Sequence, residues 1–131
     1  MNSHLTKFES DVLGLLLEGD SEVLQALISQ IEQSGIEREL TGAGFYVHFT
    51  VDPKCPRVSA KQFRIGDVTA DIAGLKYGAG FVLFVDDGKV MQLEGYSYEE
   101  PWPARIENYK LKYVKEPRDL PFDSKNDRTK R

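Results

Sequence analysis

Two histidines, one cysteine and a cluster of acids among aromatics are the side chains with which this chain could do chemistry. His48 stands in "GFYVHFTVD", where Phe45, Val47 and Phe49 alternate with Tyr46, His48 and Thr50. That alternation puts His48 on the polar side of a strand, as a surface or hydrogen-bonding group more readily than as a general base. His4 lies near the start of the chain and reads as solvated. Cys55, in "PKCP", has Lys54 beside it to favour a thiolate, but its flanking prolines read as a structural loop. No nucleophile-elbow sequence occurs, the histidines have no ligand spacing, and no loop carries carboxylates at cation-binding intervals. The sequence therefore predicts no catalytic residue, no metal and no cofactor.

The most unusual stretch is "LEGYSYEEPWPARIE", 93–107, where Glu94, Glu99, Glu100 and Glu107 face a single cation, Arg105. Tyr96, Tyr98 and Trp102 interleave with these acids. Pro101 and Pro103 hold the tryptophan in extended backbone. Tyr and Trp give large contact area for little lost entropy, and acidic neighbours speed the approach of a basic partner. Glu94, Tyr96, Tyr98, Glu99, Glu100 and Trp102 thus form a candidate surface for a basic protein. Two other readings stand beside it. In one, Trp102 folds back to plug the end of the core and the glutamates are merely solvated. In the other, Glu94, Tyr96 and His48 line a pocket for a small molecule or a minor reaction.

"TGAGFYVHFTVD" at 41–52 and "YGAGFVLFVDDG" at 77–88 share the opening Gly-Ala-Gly-Phe. A phosphate-binding glycine loop follows a strand and opens a helix, and these two pairs do the opposite, standing before strands. Two short copies are also too few for a stacked repeat. Glycine here serves to bend the chain, or to let it approach a neighbour, as it enters a sheet.

The elements that must position these residues follow from periodicity. Leu5, Phe8, Val12, Leu15 and Leu16 recur at helical steps, as do Val23, Leu24, Leu27, Ile28 and Ile31. Gly19 should end the first helix and Asp20 or Ser21 cap the second. The short link predicts an antiparallel helical hairpin whose apolar stripes need a sheet to cover. From residue 36 the period becomes two. "GFYVHFTVD", "KQFRIGDVTADIAGL" (with Gly66 at a bulge or turn), "GFVLFV", "KVMQLEGYSY" and "NYKLKYV" read as strands. Asp86-Asp87-Gly88 joins two of them. A two-residue turn at Asp87-Gly88 would pair Val85 with Val90, a three-residue turn Val85 with Lys89, and both put Met91 and Leu93 on one face. Lys110 and Lys112 along one side of the last strand suit a sheet edge.

The 131 residues fit one domain of class α+β, an N-terminal two-helix hairpin packed on a four- to five-stranded antiparallel sheet spanning 1–114. The tail 115–131 carries six Lys/Arg against four Asp/Glu, so its net charge is +2 and the body holds −6 of the total −4. Prolines and mixed charge in the tail predict disorder. An acidic body argues against nucleic-acid binding and for cationic partners. No apolar run is long enough to span a bilayer, no secretory signal pattern opens the chain, and one cysteine allows no internal disulfide. The expectation is a cytoplasmic protein without membrane contact, with a homodimer through the sheet or the Tyr109–Val114 edge as a further arrangement.

The order of these elements, and "GFVLFVDDGKVMQLEGYSYEEPWP" above all, resembles small uncharacterised bacterial proteins. In these a helical hairpin precedes a sheet whose central hairpin ends in Leu-Glu-x-Tyr-like residues. The likeness covers about 5–114. In size and acidity the chain is also similar in character to immunity proteins of bacterial toxin systems, many of which neutralise cationic toxins through an acidic face. These resemblances imply a non-enzymatic binding module and assign no residues.

Overall fold

In the computed structural model, which describes residues 2–122, two helices precede six strands: α1 (Lys7–Leu16), α2 (Glu22–Glu32), β1 (Ser34–Leu40), β2 (Gly44–Val51), β3 (Phe63–Ile72), β4 (Ala79–Asp86), β5 (Lys89–Ser97) and β6 (Tyr109–Tyr113). The strands form one antiparallel sheet in the order β1-β2-β5-β4-β3-β6. The α+β class is as the sequence predicts. No helix among the described residues is long and apolar enough to cross a membrane.

Thr6 opens α1 with a capping box, its hydroxyl accepting from Glu9 N–H while the Glu9 carboxylate accepts from Thr6 N–H. Ser21 caps α2 by accepting from Val23 N–H. Val12, Leu13, Leu16, Leu24, Leu27 and Ile31 then turn to the sheet, where Val47, Ile65, Val68, Phe81, Leu83 and Leu93 meet them. α1 lies over β3 and β6, and α2 over β5 and β2. Each helix lies against its own pair of strands, and the apolar side chains of both join one core.

The sheet has six strands, not four or five. The extra strand is β1, whose inward positions Ser34, Ile36, Arg38 and Leu40 pair with Val51, Phe49, Val47 and Phe45. Only one of the four combines an apolar side chain with partial burial, so no alternation shows in "SGIEREL". Arg38 fits an inward position because Glu9, 4 % exposed, takes its Nε and Nη2, each at 2.6 Å. Those hydrogen bonds hold the guanidinium above its ordinary pKa.

The β4–β5 hairpin takes the first of the two expected turns and departs from both expected registers beyond it. Asp87 (φ 55) and Gly88 (φ 72) form the two-residue turn that pairs Val85 with Val90. The register then slips, so Phe84 pairs with Gln92 and Leu83 with Leu93. Met91 is the extra residue of this bulge. It is exposed, while Val90 and Leu93 both face the core. Val90 N–H donates to Gln30 Oε1 at 2.9 Å, and Gln30 Nε2 donates to the carbonyls of Pro56 and Gly88. A buried glutamine of α2 thus secures the bulge. The second irregularity, between Ile65 and Val68, falls at Gly66 as expected.

The tail expected to be disordered from 115 is docked as far as the description goes. Arg118 forks onto Asp67 at 2.7 and 2.9 Å and donates to the carbonyls of Leu16 and Glu18 at the end of α1. Its guanidinium also lies 4.4 Å from the centre of the Tyr113 ring. Burial disfavours the Arg118 charge, but Asp67, together with Tyr113 and Glu18, offsets it and its pKa stays raised. Phe122 packs on Phe63 with ring centroids 5.0 Å apart. The rest of the tail, 123–131, lies outside the described residues.

Candidate functional site

Both helices lie on one face of the sheet, so the side chains alternating with the core form a second, outer face. Three cross-strand rows map it. Glu39, Tyr46, Glu94 and Val82 form one row. Glu37, His48, Gln92, Phe84 and Arg64 form the next. Gly44, Tyr96, Gly80, Thr69 and Lys112 form the third. Direct neighbours in such a row have Cβ atoms about 4.5–5.5 Å apart, within reach of one another.

This pairing explains the repeated glycine motif. Gly44 and Gly80, the second glycines of the two copies, both pair with Tyr96, from opposite sides. Phe45 and Phe81, which follow them, both pair with Gly95 on the core face. Aromatic rings therefore lie over glycines on both faces, Phe45 across Gly95 and Tyr96 across Gly80. Neither motif opens a helix, in keeping with glycines that serve strand entry.

The sequence-predicted surface divides in two. Glu94 and Tyr96 stand on the outer face, and Tyr98 meets Tyr96 edge to face with centroids 5.5 Å apart. Burial first, then Tyr98 and Glu94, push the Tyr96 phenol above its ordinary pKa. Glu99 is exposed and adopts a left-handed backbone, φ 58. Glu100 and Trp102 are engaged by other parts of the chain. The Glu100 carboxylate accepts from Lys76 N–H and Tyr77 N–H at 2.9 and 3.0 Å, which holds its pKa below the usual carboxylate range. Trp102 is half-buried with its ring 5.4 Å from Phe45, and its backbone N–H donates to the Gly42 carbonyl. Phe45 belongs to the core, so Trp102 packs on the side opposite to Glu94. Ser97 ties the segment after β5 to the start of β2, its backbone N–H donating to the Ala43 carbonyl and its hydroxyl to that of Glu100.

Tyr46 and Glu39 complete the outer face, and the sequence reading did not single them out. Tyr46 Oη lies 3.3 Å from Glu94 Oε2, and its ring stacks on His48 with an interplanar angle of 24°. His48 Nε2 lies 2.9 Å from Glu39 Oε1. Glu94 first, then burial, and also Glu39 raise the Tyr46 phenol above its ordinary pKa. The alternation of β2 already put Tyr46 beside His48. Glu39 was hidden because β1 was.

Among the described residues, the half-buried acids that lack a cation differ in their partners: Asp52 and Glu100 accept from backbone N–H groups, whereas Glu94 has a tyrosine hydroxyl. A cleft of about 910 Å³ between the start of α1, the end of β1 and the segment 104–109 also carries ionisable groups. There Arg38 pairs with Glu9, Lys7 with Asp11 at 2.8 Å, and Tyr109 with Asp11 at 2.6 Å. Glu94 is half-buried and, among the described residues, has no cation and only the Tyr46 hydroxyl. A cation brought to this carboxylate would supply a charge-assisted hydrogen bond that the described chain does not.

Among the described residues no group of three or more His, Cys, Asp and Glu could hold a metal ion, and Cys55 is a buried free thiol. No protein-family model, curated protein or solved structure matches the chain.

Proposed function

We propose that this protein is a non-enzymatic binding module that holds a basic protein partner on its outer sheet face, as a cytoplasmic immunity-like protein of a bacterial toxin system would. The observation that carries the reading is Glu94, a half-buried carboxylate at the centre of an open aromatic face with no cation beside it. Tyr96 and Tyr98 supply contact area, and Glu99, at the rim, adds a second charge to attract the partner. The overall charge of −4 acts in the same direction. Glu100 and Trp102 contribute indirectly, by fixing the segment that carries Tyr98 and Glu99.

The small-molecule alternative retains Glu94, Tyr96 and His48 on a common face. The cleft described above, however, is lined by other residues. Self-association through either sheet edge is disfavoured by charge. An antiparallel pair of β6 strands brings Lys110 and Lys112 of the two copies together, and a pair of β1 strands does the same for Glu37 and Glu39.

The test is partner capture by the wild type and by a Glu94→Lys, Glu99→Lys variant, which leaves Glu100 and Trp102 in place. A basic protein that binds the wild type, as purified components, and loses at least about tenfold affinity for the variant supports the reading. A basic partner that binds both equally removes this face from the interaction.

A further inference from the structure

The outer face is not uniformly acidic, and its most organised part is a small constellation around Tyr46. Glu39 and Glu94 are the cross-strand neighbours of Tyr46 on either side, so two carboxylates bracket one aromatic ring. The ring is extended along β2 by His48, whose centroid lies 5.6 Å away at 24°. His48 in turn touches Glu39, which fixes that carboxylate beside the platform. The side chains of His48 and Glu39 are 39 % and 59 % exposed, so a ligand can reach them. The nearest outer-face cation along the neighbouring row, Arg64, lies two strands beyond Gln92, with its guanidinium 5.9 Å from the Phe84 ring. No cation of the described chain satisfies Glu94.

A flat π surface between two carboxylates matches a planar cation better than a compact one. A guanidinium stacks on an aromatic face and directs paired N–H groups at carboxylate oxygens, whereas an ammonium is a more strongly hydrated point charge. We propose that the Tyr46–His48 platform is a recognition subsite for an arginine side chain of the partner, with the guanidinium over Tyr46 and its N–H groups donating to Glu94 and Glu39. This subsite deepens the basic-partner reading and rests on it. Charge complementarity fixes the occupant as a cation, and the stacked rings select arginine over lysine.

The experiment uses the full chain and two amidated peptides, hexa-arginine and hexa-lysine, of equal length and charge. Affinities are measured by calorimetry across a salt series. The expected result is a preference of about three- to fivefold for hexa-arginine that persists at the higher salt. Tyr46→Leu should abolish the preference while leaving residual, salt-sensitive binding of both peptides. Glu94→Gln and Glu39→Gln, which preserve shape, should weaken hexa-arginine more than hexa-lysine, and they keep the test sharp should Tyr46→Leu fold poorly. Hexa-arginine should also lower the apparent phenolic pKa by ultraviolet titration, a change that Tyr46→Phe removes.

Equal affinity of the wild type for the two peptides overturns the subsite, as does a preference that survives Tyr46→Leu. The broader reading fails separately, when a partner ignores charge reversal at Glu94 and Glu99. A partner that is lost on that reversal, without any arginine preference, refutes the subsite and leaves the binding face intact.

Discussion

The ring of Tyr96 on β5 occupies the space that a Cβ on Gly80 of β4 would fill, with its hydroxyl 2.5 Å from that point. The aromatic that faces solvent at the centre of the sheet is thus seated by a glycine on the neighbouring strand. Gly44, on the other side of Tyr96, is packed against backbone instead, facing the carbonyl of Gly95. Two glycines of one repeated motif have therefore come to do different things for the same residue.

That difference sets their mutational costs. Gly80→Ala pushes against the far end of a side chain, which can swing away, and should cost about 1 kcal/mol. Gly44→Ala pushes against backbone, so β2 and β5 must part, and it should cost about 3 kcal/mol. Urea denaturation measures both. In a double-mutant cycle the Gly80→Ala cost should shrink when Tyr96 is also alanine. Additive costs would mean that the ring does not rest on Gly80.

Gln30 should be the most sensitive polar residue of the helical layer. Its side-chain amide is buried and meets Val90 N–H and the carbonyls of Pro56 and Gly88. Gln30→Leu deletes these partners and should lower stability by about 2–3 kcal/mol. Amide exchange at Val90 should accelerate by more than the global loss accounts for. An unchanged denaturation midpoint would show that the bulge does not need α2.

Acid should loosen the loop beneath the candidate face. The pKa of Glu100 lies below its ordinary value of 4.5, first because Lys76 N–H and then because Tyr77 N–H donate to it. A depressed carboxylate stabilises the fold above the unfolded value, and that contribution disappears as pH falls through the folded value. Asp11, lowered by Lys7 and then Tyr109, acts in the same direction. The amide proton shifts of Lys76 and Tyr77 should therefore titrate below about pH 4.5 in the wild type and stay flat in Glu100→Gln. Flat shifts in the wild type would dissociate Glu100 from that loop.

Local pattern was enough for both helices, for a cap at Asp20 or Ser21, for an irregularity at Gly66 and for the outward position of His48, because each depends on neighbours within a few residues. It failed at β1, where an inward arginine interrupts the apolar pattern and the reason, Glu9, is 29 residues away. It also failed at Met91, since both registers considered assumed a regular ladder after the turn. The bulge is met by Gln30, 60 residues before Val90, and no local pattern carries that. Within 93–107 the residue types marked an unusual segment but could not divide it. Glu100 is claimed by the amides of Lys76 and Tyr77, and Trp102 by Phe45, whereas Glu94 is left without a cation.

By itself, then, the chain determined its class, its helices, most of its strands and the acidic sign of its surface, all of which are sums over local composition and period. Tertiary structure decided which of those acids are already satisfied and which face of the sheet stays open. It also brought Tyr46, Glu39 and Glu94 into one row from three strands. The physical reason is that counter-charges and cross-strand neighbours are set by pairing register and packing between distant segments, which residue spacing along the chain does not encode.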